Sequence, residues 1–177
     1  MDERKKKSLL EALLFVSSET VSASELKSAC ELAEAEVKSI MEELIHEYRE
    51  RDSGVLIVES AGGWRMLTNP EHGESIKKFL GSQKAQRLSM ASLETLGIIA
   101  YKQPIQKAEV DELRGVNSDG VVKTLLERRL IKVVGKKDAP GRPLLYGTTR
   151  EFLEYFALKN LTELPTLKEL QREEASA

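Results

Sequence analysis

The sequence predicts a mainly α-helical protein with small β-hairpins, an α+β fold, and three observations lead to this prediction. Apolar residues recur at helical spacing in several segments, and pairs of short apolar segments flank loops that contain glycine or proline. The same order of elements also occurs twice along the chain. With 177 residues, of which 41% are hydrophobic, the chain is long enough for one ordinary domain or two small ones.

In the first half, helical spacing is followed by strand-like segments. Ser22 with Glu25 three residues later forms a capping-box pattern, which opens the second helix. Two adjacent glycines, Gly62 and Gly63, are typical of a β-hairpin turn between two short apolar segments. The predicted elements are helices at residues 8–17, 22–30, 35–51 and 70–80, and strands at residues 55–60 and 64–67.

The second half repeats this order. Ser89 is the predicted cap of its first helix, Gly115 the stop of its second helix, and Asn117 or Ser118 the cap of its third helix. Pro104 disfavours helix at the residue before it, which predicts a turn and a short extended stretch. The predicted elements are helices at residues 89–100, 107–113 and 117–130, and strands at residues 131–135 and 144–147.

Three helices followed by a two-stranded hairpin are typical of a winged helix-turn-helix domain. The sequence therefore predicts two tandem domains of this kind. We expect a flexible N-terminal tail at residues 1–7, an N-terminal winged-helix domain at 8–80, a linker at 81–88, a C-terminal winged-helix domain at 89–158, and a flexible or partly helical C-terminal tail at 159–177. The repeat itself pairs Leu10, Leu13, Phe15 and Val16 with Leu93, Leu96, Ile98 and Ile99 at an offset of 83 residues.

The composition excludes several classes of protein. A single cysteine cannot form an intramolecular disulfide, and no CxxC or Cys/His cluster indicates structural zinc. The longest apolar stretch near the N-terminus is interrupted by Glu11, whereas a membrane-spanning helix needs about 20 apolar residues. We therefore expect a soluble, cytoplasmic chain that does not contact a membrane.

Catalytic constellations are also absent from the sequence. His46 lies among glutamates on a charged helical face, His72 has no neighbouring partner that would complete a ligand set, and Cys30 continues an apolar helical pattern. No phosphate loop, nucleotide fingerprint or HExxH motif occurs. We therefore expect no enzyme, no catalytic residue, no cofactor and no metal.

Charge is distributed unevenly between the two halves. Residues 8–80 carry 7 basic and 14 acidic side chains, whereas residues 114–142 carry 8 basic and 3 acidic side chains. Because the phosphates of DNA attract cations, the basic segment 114–142 is compatible with an alternative function, that of a winged-helix DNA-binding transcriptional regulator. The exposed row predicted for its third helix, Asp119, Lys123 and Glu127, opposes that alternative because two carboxylates would face phosphates.

Protein–protein contact is the remaining class of function. Trp64, Met66 and Leu67 follow the glycine turn of the first hairpin, and tryptophan and methionine are enriched at interface cores. These three residues are the predicted dimerisation contacts, with core packing of Trp64 as the alternative interpretation. The tail leucines Leu161, Leu164, Leu167 and Leu170 are either a docking strip or a frayed end.

Several stretches of the chain resemble segregation and condensation protein B, a bacterial chromosome-partitioning family. The dense matches are AYKQPI, RGVNSDGV, LLERRLI and GRPLLYGTT in the second half, followed by EFLEYFAL, with ESAGGWRMLT as the best match in the first half. Together they cover residues 8–158.

The resemblance implies a non-enzymatic accessory subunit of the bacterial SMC condensin complex. Such a subunit is a homodimer, joined mainly through its N-terminal domain, that binds the middle region of the kleisin subunit, segregation and condensation protein A. Through the kleisin it reaches the SMC ATPase, and DNA only indirectly or weakly. It supports chromosome condensation and segregation during cell division, in the cytoplasm and at the nucleoid.

Within the matched motifs we expect a polar set to contact the kleisin. Arginine offers a planar fork to carboxylates, and tyrosine combines an apolar ring with a polar tip. The predicted kleisin-binding residues are Tyr101, Lys102, Arg114, Lys136 and Arg142.

Overall fold

The computed structural model describes residues 2–80, 88–166 and 169 of the chain. Residues up to 80, together with those from Ala157 onward, form a first compact unit, and residues 88–156 form a second. Within the described residues, each unit contains four α-helices and a three-stranded antiparallel sheet. The first three helices of each unit, followed by its hairpin, confirm the predicted α+β class and the tandem winged helix-turn-helix architecture. The predicted linker lies, except for Leu88, outside the described residues.

The first unit has the predicted helices and hairpin, with one additional short strand. Its sheet has the order β1-β3-β2, and β3 pairs with β2 through six residue pairs from Val55 opposite Thr68 to Ser60 opposite Gly63. The elements are α1 (Glu3–Val16), β1 (Val21–Ser22), α2 (Ala23–Cys30), α3 (Glu34–Glu50), β2 (Val55–Ser60), β3 (Gly63–Thr68) and α4 (Gly73–Leu80), the last preceded by a 3-10 turn at Pro70–His72.

Local chemistry sets the helix starts of this unit. The capping box at Ser22 is confirmed: the Ser22 N–H donates to Glu25 Oε2 at 2.7 Å, and the Glu25 N–H donates to Ser22 Oγ at 3.3 Å. Helix α1 begins at Glu3 rather than at residue 8, because the Asp2 carboxylate accepts the Lys5 N–H at 2.8 Å. Lys7 also bridges α1 to α3, with its ammonium 2.8 Å from Glu43 and 2.7 Å from Glu47.

The core of the first unit lies between the three helices and one face of the sheet. Apolar positions of α1, α2 and α3 that recur at helical spacing are buried together with residues of β2 and β3. The fully buried side chains include Leu10, Leu14, Leu26, Val37, Met41 and Ile57. Cys30 is part of the same core, and burial raises the pKa of its thiol. Its predicted role as a core residue therefore fits the structure.

A short segment near the C-terminus lies on the hairpin of the first unit. The Ala61 N–H donates to the Leu158 carbonyl oxygen at 2.9 Å, and the Lys159 ammonium is 2.8 Å from Glu59. A 3-10 turn at Leu161–Glu163 follows, and the Lys159 N–H donates to Glu163 Oε2 at 2.6 Å. The part of the expected tail that the structure describes thus makes defined contacts with the hairpin.

The second unit repeats the pattern, with sheet order β4-β6-β5. Its buried side chains include Leu96, Ile99, Val110, Leu125 and Ile131. Its elements are α5 (Met90–Lys102), β4 (Ile105–Gln106), α6 (Lys107–Arg114), α7 (Asp119–Glu127), β5 (Ile131–Lys136), β6 (Leu144–Thr148) and α8 (Arg150–Tyr155).

The turn between α6 and α7 is fixed by polar contacts. Gly115 follows α6 with a φ of 70°, the left-handed conformation that glycine adopts without steric cost. Ser118 is at the start of α7, but its hydroxyl does not cap the helix; it donates to Asp111, which also accepts the Ser118 N–H at 2.8 Å. Asn117 makes the capping contact, because its side-chain oxygen accepts the Asp119 N–H at 2.9 Å.

Candidate functional site

Four of the five predicted kleisin-binding residues lie on the surface of the second unit. Tyr101 and Lys102 are the last two residues of α5, and both are exposed. Lys136 ends β5, and Arg142 lies in the loop between β5 and β6; both are exposed. The backbone at Arg142 has a φ of 41°, and its N–H donates to the Ala139 carbonyl at 2.8 Å, so the loop forms a tight turn.

Arg114, the fifth predicted residue, is engaged inside the second unit. Its Nε and Nη2 both lie 3.2 Å from Glu94 Oε2, and its side chain is 7% exposed. This ion pair joins the end of α6 to α5. Since the guanidinium is nearly covered, the candidate surface is built from the other four residues.

The predicted dimerisation residues lie on β3 of the first unit. Trp64 is 7% exposed and belongs to the core of that unit, in agreement with core packing, the alternative interpretation of this residue from the sequence. Met66, two residues further on the same face of the strand, packs against that core, and Leu67 is half-buried. Trp64 therefore holds β3 against the helices, whereas Met66 and Leu67 retain accessible surface.

Gln103 connects the end of α5 to the end of β6. Its side-chain oxygen accepts the Thr148 N–H at 2.7 Å and the Thr148 hydroxyl at 3.0 Å, and its side-chain amide donates to the Ala100 carbonyl at 3.1 Å. Three hydrogen bonds thus fix one side chain in a single orientation. Because Gln103 precedes Pro104 directly, they also position the short stretch that leads into β4.

Gly147 allows β6 to approach this glutamine closely. A Cβ atom at Gly147 would lie 2.9 Å from Gln103 Oε1 and 3.0 Å from a methyl group of Val134. Real Cβ atoms rarely have such contacts, so any larger residue would displace one of the two neighbours. Glycine at position 147 therefore permits Gln103 and Val134 to pack closely against β6.

A cleft of about 380 Å³ lies beside this contact. The register explains why its lining residues share a face: Leu145 and Gly147 alternate with the buried Tyr146 along β6. Val134 is the unpaired residue of a β-bulge, because Val133 pairs with Tyr146 and Gly135 with Leu145. The lining residues are Gln103, Pro104, Val134, Leu145 and Gly147.

The wing around this cleft is basic. Lys132 pairs with Gly147 across the ladder and therefore lies on the same face as the cleft. Lys137 is engaged by Glu109 at 2.6 Å, a contact that lowers the pKa of this glutamate. Among the residues that the structure describes, Lys132, Lys136 and Arg142 have no ion-pair partner within 4.0 Å.

The helices that would enter a DNA groove present carboxylates. In α7 the side chains of Asp119, Lys123 and Glu127 are exposed along one row, and Lys123 lies 3.9 Å from Glu127. In α3 the exposed surface includes Glu42, Glu43, Glu47 and Glu50. Since carboxylates repel phosphate oxygens, neither helix is suited to read DNA.

Two other kinds of site are absent from the described part of the chain. Within residues 2–80 and 88–166, no helix is long and apolar enough to cross a membrane. The same residues bring no three His, Cys, Asp or Glu side chains together in a group that could hold a metal ion. The cleft lies in the same unit as the predicted kleisin-binding residues.

Sequence reasoning missed the residues that shape the cleft. The predicted kleisin contacts include none of the lining residues, although Gln103 and Gly147 lie inside two of the matched motifs. A bulge at Val134 and a contact between residues 45 positions apart leave no local pattern. The matched motif strings include Gln103 and Gly147, whereas Val134 lies outside them.

Comparison with known proteins identifies the family. The sequence profile of the segregation and condensation complex subunit ScpB family matches residues 8–167. Segregation and condensation protein B of Syntrophotalea carbinolica is 50% identical over 169 residues, which cover 96% of this chain and 85% of that protein. The protein of the same name from Geobacillus kaustophilus is 48% identical over 164 residues, covering 92% of this chain and 76% of that protein.

A protein of known structure is also similar to this chain in sequence. The crystal structure of ScpB from Mycobacterium tuberculosis is 38% identical, covers 88% of this chain and 97% of its own, and superposes with a TM-score of 0.45. The profile and the two sequence relatives each span most of the chain. On these sequence matches, the chain belongs to the segregation and condensation complex subunit ScpB family.

Proposed function

We propose that the chain is a non-enzymatic accessory subunit of the bacterial SMC condensin complex. As a homodimer it binds the middle region of the kleisin subunit, segregation and condensation protein A, and reaches the SMC ATPase through that kleisin. It thereby supports chromosome condensation and segregation during cell division. The observation that carries this proposal is the family match across residues 8–167, since the family is described as a complex subunit.

The surface of the second unit supports the same proposal. Tyr101, Lys102, Lys136 and Arg142 are exposed, as a partner-binding set must be, and the apolar cleft on the outer face of the sheet lies in the same unit. A basic rim beside an apolar cleft suits a protein segment that combines carboxylates with aliphatic side chains. Arg114 contributes through its ion pair with Glu94, which holds α6 on α5.

Self-association is proposed for the first unit. Phe15 at the end of α1 is 81% exposed and Phe79 near the end of α4 is 88% exposed, and large apolar side chains at a surface commonly mark interfaces. Met66 and Leu67 on β3 remain the proposed strand contacts, with Trp64 supporting them from the core. Sequence reasoning did not select Phe15 or Phe79 as contacts.

The proposed role places the chain in the cytoplasm, associated with the nucleoid through its partners. No catalytic step is assigned to it. The exposed glutamates of α3 and the carboxylates of α7 disfavour the alternative of a DNA-binding transcriptional regulator. Any contact with DNA in the assembled complex is therefore indirect or weak.

Co-purification with the kleisin of the same genome tests the proposal. The two chains are co-expressed, the kleisin carries the affinity tag, and the resin with the bound complex is washed at rising salt before elution. The proposal predicts that the untagged chain elutes with the kleisin. In parallel, the chain alone is titrated with duplex DNA at two salt concentrations. Loss of the kleisin interaction together with tight, sequence-dependent DNA binding would support the regulator instead.

A further inference from the structure

We infer that the cleft lined by Gln103, Pro104, Val134, Leu145 and Gly147 is a preformed socket for one aliphatic side chain of an acidic kleisin segment. The inference rests on the proposed function and deepens it, because it names the surface that the partner occupies and the chemistry that the surface selects. It adds Val134 and Lys132 to the residues expected to contact the kleisin.

The socket is formed before a partner arrives. Three hydrogen bonds hold the Gln103 side chain against Thr148 and Ala100, so one wall of the cleft cannot rotate away. Gly147 forms the base, where a Cβ would already be within 3.0 Å of its neighbours. A rigid site loses little conformational entropy on binding, which favours affinity.

The chemistry of the lining selects an aliphatic group. Pro104, Val134 and Leu145 supply apolar surface, and Val134 is 47% exposed because the bulge turns it outward from the ladder. The volume of about 380 Å³ accommodates a leucine, isoleucine or valine side chain with part of its backbone. Burial of that side chain would cover apolar surface that is now in water.

The charge of the rim selects acidic neighbours for that aliphatic residue. Residues 131–148 contain four basic side chains and one acidic side chain, Asp138. Lys132 lies on the face of the cleft, opposite Gly147, and Lys137 is already neutralised by Glu109. A segment with carboxylates beside its aliphatic residue would pair with Lys132, whereas Lys136 pairs with Leu144 and lies on the other face of the sheet.

Two adjacent valines give a matched test of the socket. Val133 and Val134 are 45% and 47% exposed, but Val133 pairs with Tyr146 and so lies on the opposite face of the sheet. Full-length Val134→Asp and Val133→Asp chains are titrated against the purified kleisin by isothermal calorimetry. We expect Val134→Asp to weaken binding by about tenfold or more and Val133→Asp to change it by less than about twofold.

A charge pair keeps the test decisive if an aspartate on β5 impairs folding. Lys132→Glu lies on the rim, whereas Lys123→Glu makes the same charge change at an exposed position of α7. We expect Lys132→Glu to weaken kleisin binding at least about fivefold and Lys123→Glu to leave it nearly unchanged. Thermal unfolding of each variant verifies that it is folded.

The outcomes separate the two proposals. Failure of the wild-type chain to bind the kleisin overturns the proposed function. Wild-type binding that Val134→Asp and Lys132→Glu leave as strong as their matched controls overturns the socket and leaves the proposed function standing. Selective weakening by the rim and cleft variants supports both.

Discussion

Replacing Gly147 by alanine should destabilise the second unit specifically. The added Cβ would lie 2.9 Å from Gln103 Oε1 and 3.0 Å from Val134, so the glutamine must withdraw from the Thr148 N–H and hydroxyl. Overpacking typically costs about 1–3 kcal/mol and each of the two lost hydrogen bonds about 1 kcal/mol, so we expect the free energy of unfolding to fall by about 3–5 kcal/mol.

Two spectroscopic signals separate the units in a urea titration. Trp64 is the single tryptophan of the chain and lies in the core of the first unit, so its fluorescence reports unfolding of that unit. Far-UV circular dichroism reports the helices of both units. Gly147→Ala should shift part of the dichroism transition to lower urea and leave the fluorescence transition in place.

Gly97→Ala is the matched control for this substitution. Gly97 lies within α5, and no atom comes within 4 Å of an added Cβ, so alanine there should stabilise the helix by up to about 1 kcal/mol. Equal stability of Gly147→Ala and wild type would refute the argument from close approach. A common shift of both signals would refute its restriction to the second unit.

Three further predictions concern the core of the first unit, the acid response of Asp111 and the ion pair of Arg114. Trp64→Ala should lower the free energy of unfolding of the first unit by about 3–5 kcal/mol, measured in a urea titration followed by circular dichroism. Phe15→Ser, at an exposed position, should leave stability nearly unchanged and reduce the fraction of dimer measured by sedimentation velocity. The contacts of Asp111 with Lys107 and Ser118 hold the pKa of its carboxyl at about 2, below the ordinary value of 3.8. The stabilising contribution of Asp111 is therefore present above about pH 4 and lost as the pH falls toward 2. Asp111→Asn should flatten this acid dependence of the thermal midpoint. Arg114→Ala should lower the thermal midpoint, because it removes the ion pair with Glu94. Arg142→Ala, at an exposed site, should leave the thermal midpoint nearly unchanged and weaken kleisin binding. A larger loss of thermal midpoint in Arg142→Ala than in Arg114→Ala would contradict the stabilising role of the Arg114–Glu94 pair.

Local signals predicted most of the helices and both hairpins. The Ser22–Glu25 capping box and the Gly115 helix stop act within a few residues, so their sequence patterns carry the full physical cause. The two-residue strands β1 and β4 are too short for any periodicity, and they exist because each has a long partner strand beside it. The additional turn of α1 depends on the Asp2 cap, which is a local contact, and on ion pairs to α3, which are tertiary contacts that a local pattern does not show.

The candidate site was less accessible from the sequence. Exposure of Tyr101, Lys102, Lys136 and Arg142 follows from their polarity, and the structure has them on the surface. The burial of Arg114 depends on Glu94, twenty residues away on a different helix, and sequence alone does not select that partner. Residues of the cleft come from three separate strands or turns, and only the folded sheet brings them together.

The mass of the complex with the kleisin tests the central claim most directly. The purified complex is analysed by size-exclusion chromatography with light scattering, next to the chain alone. We expect a dimer for the chain alone and, for the complex, the mass of two copies of this chain with one kleisin. A monomeric chain whose mass is unchanged by a molar excess of kleisin would contradict the account.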